Sequence, residues 1–120
     1  MRNAMFLVAA LVAIAPHAAI AKRVQSIAIS GNYASNWGAV TLSQQGDHVS
    51  GTYVFQDGRL EGTLDGTIVR YRWTEKDSSG RGVFVVASDG ELIGTWGVGS
   101  DDIGGGGWRL VPGKSAIAQN

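Results

Sequence analysis

From residue 27 to residue 112 the chain is interrupted at short intervals by turn-forming groups: Gln45-Gly46, Asp57-Gly58, Asp65-Gly66, Ser79-Gly80 and Ser88-Asp89-Gly90. The runs between them are rich in Val, Thr, Tyr and Trp, and signals for helix are nearly absent. Short β-forming runs divided by turns bury their apolar residues only by pairing with one another, in an antiparallel sandwich or barrel. The spacing predicts eight strands, over residues 27–34, 37–44, 48–55, 59–65, 67–75, 82–88, 91–98 and 107–112.

A two-residue loop also dictates which residues face each other. Taken as such a loop, Gln45-Gly46 sets Leu42 against Val49 and Val40 against Gly51. In the same way Asp57-Gly58 sets Tyr53 against Gly62 and Gly51 against Leu64, and Asp65-Gly66 sets Gly62 against Val69. All three turns place the same, mostly apolar residues on one face. The other face receives His48, Ser50, Thr52, Glu61, Thr63, Asp65, Arg70 and Arg72, with Glu61 expected opposite Arg70. One face is therefore core and the other solvent. A three-residue Ser88-Asp89-Gly90 loop, with Gly90 left-handed, sets Phe84 against Gly94 and Gly82 against Trp96, and turns Val83, Val85 and Ile93 outward. Mid-strand glycine weakens a strand. Its repeated use reads as a large-against-small packing code, in which Gly62 leaves room for Tyr53 and Gly51 for Leu64. Eight meandering strands with one apolar face favour a closed up-and-down barrel, because closure removes both sheet edges. An open β-sandwich is the alternative.

Residues 1–21 read as a secretory signal peptide, with Arg2, an apolar run from Ala4 to Ala15, and the small-x-small site Ala19-Ile20-Ala21. The run is shorter than the roughly 20 apolar residues of a membrane span. A mature, secreted or periplasmic chain is expected to start at Lys22, forming one barrel domain over 22–113 and a flexible tail over 114–120. The chain has no cysteine, so packing alone must hold so small a domain. Ten basic and ten acidic residues, interspersed in sign, argue against nucleic acid or an anionic membrane as an obligate partner.

Catalytic groups are sparse. His48 stands beside Asp47 with Ser43 and Ser50 nearby, but on the polar face of a strand, whereas a triad needs its groups converged in a pocket. Asp57, Asp65 and Asp89 are accounted for by their turns. Asp101-Asp102, in the loop 99–107, lacks the alternating carboxylates of a calcium loop, and no helix follows Gly104 to Gly107 to cradle a phosphate. A mobile loop is expected there, with no metal and no cofactor. The aromatic residues Tyr33, Trp37, Tyr53, Phe55, Tyr71, Trp73, Phe84, Trp96 and Trp108 fall largely on the inward face, and such a belt either fills the barrel or lines its mouth.

Three stretches, GNYASNWGAV, HVSGTYVF and GTWGVGSDDIGGGGWRLVPG, resemble in that order the avidin and streptavidin family of eight-stranded barrels. The resemblance implies a similar architecture. It matches Tyr53 to a tyrosine that contacts biotin in that family and Trp108 to a tryptophan of its pocket. Ser35 stands where that family has an asparagine, Ala39 and Phe55 where it has serines, and its closing strand with a pocket aspartate has no counterpart. A wider group of small exported bacterial proteins with WG, GTY and GTW spacing is similar too. The first functional expectation is a non-enzymatic exported barrel that binds a small molecule or glycan through Tyr53, Trp73, Trp96 and Trp108. The second is a protein-interaction or inhibitor module with a filled barrel, and a small hydrolase comes third. The outward Val83, Val85 and Ile93, with Ile68, suggest a homo-oligomer or partner surface.

Overall fold

The computed structural model describes residues 27–113; the expected leader and the tail 114–120 lie outside the described residues. Eight strands follow one another: β1 (Gly31–Ser35), β2 (Val40–Gln45), β3 (His48–Tyr53), β4 (Gly58–Asp65), β5 (Ile68–Thr74), β6 (Ser79–Val86), β7 (Leu92–Val98) and β8 (Gly106–Pro112). Each is antiparallel to the next, and β8 returns to β1 through Tyr33↔Pro112, Ala34↔Val111 and Ser35↔Leu110. The result is the closed up-and-down barrel, not the open sandwich.

The expected faces hold, but three registers shift. Gln45 pairs with His48 and Asp65 with Ile68, so the turn residues are Gly46-Asp47 and Gly66-Thr67. In each only the glycine has positive φ, +61° at Gly46 and +64° at Gly66. A turn with glycine first needs left-handed backbone at that residue alone, whereas glycine second would also force Gln45 or Asp65 into it. Both ladders slide by two residues, which preserves the faces and moves the partner of Glu61 from Arg70 to Arg72.

Asp57-Gly58 is not a two-residue turn. A four-residue connection, Val54–Asp57, contains a 3₁₀ turn over Phe55–Asp57, and Gly58 is extended, opposite Tyr53. This glycine serves space and not the turn, because a Cβ there would run into the Tyr53 ring. Gly51 consequently faces Leu60, not Leu64, and Gly62 faces Tyr71, not Tyr53 or Val69. The β6–β7 hairpin agrees with expectation: Phe84 faces Gly94, Gly82 faces Trp96, and Gly90 has a φ of +91°.

The interior is layered. At the end of the short turns, Leu42, Val49, Leu64, Val69, Val86 and Leu92 close the barrel with Ile29, all buried. Ile29 is held there by its N–H donating to Gln44 Oε1 and by the Tyr33 hydroxyl donating to its carbonyl. Above them Phe84, Tyr71 and Trp108 pack ring on ring, with centroids 4.5–5.8 Å apart. The outer wall carries Thr41, Thr52, Arg59, Glu61, Thr63, Arg70, Arg72 and Arg81, all exposed. Polar outside and apolar inside is the reverse of a lipid-facing barrel. Among the described residues no helix is long and apolar enough to cross a membrane.

Candidate functional site

In a meander of eight strands the β1–β2, β3–β4, β5–β6 and β7–β8 loops all emerge at one end. Between these connections a cavity of about 230 Å³ opens into the barrel. Its lining comprises Trp37, Tyr53, Phe55, Trp73, Glu75, Ser78, Trp96, Val98 and Trp108. All four aromatics singled out from the sequence are here, and so are all four tryptophans of the chain.

Strand ends position the first group. Tyr53 closes β3, its ring lying over Gly58 and edge-on to Trp108 at 4.9 Å and 75°. Trp73, near the end of β5, lies over Gly80 and donates from Nε1 to the Gly97 carbonyl at 3.0 Å. Trp108 enters from β8 and donates to Ser35 Oγ at 3.0 Å. Ser35 in turn donates to the Gly38 carbonyl and accepts from the Trp37 N–H, which shapes the β1–β2 loop. Trp96 packs across Gly105, and Gly105 donates its N–H to the Trp96 carbonyl at 2.8 Å. The glycine-rich 99–107 segment, expected to be a mobile loop, is thereby anchored. Thr95 Oγ1 also donates to the Asp102 carbonyl, and Gly106 and Gly107 already belong to β8.

Trp37, Phe55 and Glu75 join them from loops. Phe55 does not continue β3; Gln56 and Asp57 follow it with φ of +54° and +52°, a conformation costing non-glycine residues about 1 kcal/mol or more each. That bend sets the Phe55 ring 5.0 Å from Trp37. Trp37 stands edge-to-face on Trp96 (5.6 Å, 84°), and Trp96 on Trp73 (5.7 Å, 88°). Such contacts set the positive edge of one ring on the negative face of the next. The indole N–H groups of Trp37 and Trp96 are buried in this wall without an acceptor, at about 1–3 kcal/mol each.

One carboxylate lies in the lining. Glu75 sits in the β5–β6 turn, closed by its N–H donating to the Ser78 carbonyl at 2.8 Å, and its Oε2 accepts from the Tyr53 hydroxyl at 2.7 Å. Burial, followed by the hydrogen bond to Glu75 and the charge of that carboxylate, pushes the Tyr53 phenol well above its ordinary value. It is a donor at any ordinary pH. Tyr71, deeper in, is raised by burial and donates to the Thr95 carbonyl.

From the sequence, Trp37 and Phe55 count in the aromatic belt but are not named for the site, and Glu75 is not singled out. Loop parity carried the information, since residues 37, 55 and 75 occupy alternate connections and so share an end with Trp96 and Trp108. His48 lies on the outer wall 3.7 Å from Glu61, and Asp57 pairs with Lys76 at 3.9 Å; neither lines the cavity. No family model, curated protein or solved structure matches the chain.

Proposed function

We propose that this protein is a binding module that holds a small ligand in the aromatic mouth of the barrel. One observation carries the reading: all four tryptophans, with Tyr53 and Phe55, converge on a single cavity at one end of the barrel. The cavity is smaller than the 300 Å³ or so from which drug-sized ligands are accommodated, so it suits a single ring or head group.

The likeness to the avidin family supports the same mouth as the site, through Tyr53 and Trp108. It does not supply the ligand. The Ser35 hydroxyl is committed to Trp108 and Gly38, and Phe55 offers a ring where that family offers a hydroxyl. Intrinsic tryptophan fluorescence, titrated with a broad panel of small metabolites and monosaccharides, tests the proposal. A saturable shift that Trp96→Ala weakens is expected; spectra unchanged across the panel would refute it.

A second reading has its own observation. Ile68, Val85 and Ile93 align across β5, β6 and β7 on the outer wall, with Val85 49% and Ile93 46% exposed. Val83 neighbours them, half-buried. We infer that this strip supports association with a second copy or a partner protein.

A further inference from the structure

Resting on the reading of the mouth as a ligand site, we propose that the group it takes is a small organic cation, a substituted ammonium bearing methyl or methylene groups. The cavity wall combines two features that suit such a group and little else. Six aromatic rings surround a space the size of one head group. Aromatic faces carry negative charge density and attract a cation within about 6 Å, most strongly when water is excluded and when the ring is tryptophan.

The second feature is Glu75. It is the one acidic residue in the lining described here, and no Lys or Arg lines the cavity with it. Lys76, next in the chain, is instead paired with Asp57 at 3.9 Å. The Tyr53 hydroxyl occupies Oε2 and fixes the carboxylate in the wall without neutralising it, and Oε1 has no hydrogen-bond partner among the described residues. A half-buried carboxylate in the lining, with no Lys or Arg beside it, attracts a cation to the mouth. An anion would meet repulsion, and a neutral sugar would leave the charge uncompensated. The four loops at this end also carry Asp57, Glu75, Asp77, Asp101 and Asp102 against Lys76 alone, which favours approach of a positive ligand.

The experiment compares choline with its neutral carbon isostere, in which a tert-butyl group replaces the trimethylammonium, by calorimetry and tryptophan fluorescence on the full chain. Choline is expected to bind about tenfold or more tighter than the isostere. Glu75→Gln, which keeps an oxygen to accept from Tyr53 and leaves the six rings in place, is expected to weaken choline severalfold and leave the isostere unchanged. An unaltered urea midpoint for the variant separates this from a folding defect. Equal binding of the two probes, or equal weakening of both by Glu75→Gln, overturns the cation inference while the mouth remains a ligand site. Silence toward both probes also overturns it, and the neutral panel then decides whether the mouth binds anything.

Discussion

Replacing Gly58 by alanine is the sharpest perturbation of this barrel, because it adds one methyl group at the place where the register, the packing and the site meet. A Cβ at residue 58 would coincide with the outer edge of the Tyr53 ring, at Cζ, Cε1 and Cε2. The ring has little freedom to retreat, since it packs on Trp108 at 4.9 Å and its hydroxyl is bound to Glu75 at 2.7 Å. Overpacking of this kind costs about 1–3 kcal/mol. For a domain of this size that lowers the melting temperature by about 4–8 °C per kcal/mol. The mechanism makes a stricter demand. In a Tyr53→Leu background the offending ring atoms are gone, so Gly58→Ala should cost less than about 0.5 kcal/mol, leaving a coupling energy on the order of 1–3 kcal/mol. Urea unfolding of the four proteins, followed by circular dichroism, measures it. Gly62→Ala is the control: its Cβ meets the Arg70 carbonyl and the Tyr71 backbone, so it should destabilise equally with or without the Tyr53 ring. If Tyr53 couples to Gly62 and not to Gly58, the register argued here is wrong.

Two further outcomes follow from the packing. All three tyrosines of the chain, Tyr33, Tyr53 and Tyr71, have phenols raised above 10.0, with burial as the leading cause. The unfolded chain therefore ionises first, and the stability they contribute is fully present below about pH 10 and lost as pH rises above it. The tyrosinate absorbance band should appear together with unfolding, and a band rising near pH 10 while the dichroism stays native would contradict this. On the outer wall, Val85→Glu and Ile93→Glu should abolish any concentration-dependent association seen by light scattering and leave the melting temperature within about 2 °C; a wild-type chain that stays monomeric at every concentration rules the strip out as a contact between copies.

Much of the fold was legible in the chain because strand faces have period two. Any register error of two or four residues keeps Val40, Leu42, Val49, Leu60, Leu64, Val69 and Tyr71 inside, so the inward set survived three wrong turn assignments. The β6–β7 hairpin was legible in full, since Gly90 is the only residue of its loop suited to positive φ. Gly58 was misread because a glycine after an aspartate signals a turn as strongly as it signals empty space, and only the Tyr53 ring distinguishes the two. Tyr53, Trp73, Trp96 and Trp108 were recognisable as an inward belt. Trp37 and Phe55 were counted in that belt but read as the ends of strands 37–44 and 48–55, whereas β2 and β3 stop short of them, and Glu75 was not singled out, since periodicity carries no information in loops.

What the sequence by itself determined is local and repetitive: β-strands from Val, Thr and aromatic runs, turns from glycine, one apolar face, and packing without disulfides. What only the tertiary structure decided is where the chain ends its alternation. Closure through β1 and β8 brings alternate loops to one rim, the left-handed bend at Gln56 and Asp57 swings Phe55 onto Trp37, and the Glu75 carboxylate comes to rest against the Tyr53 hydroxyl in the lining of the mouth. Those contacts join residues far apart in the chain, 73 positions in the case of Ser35 and Trp108, and the chain must close on itself before their energy exists.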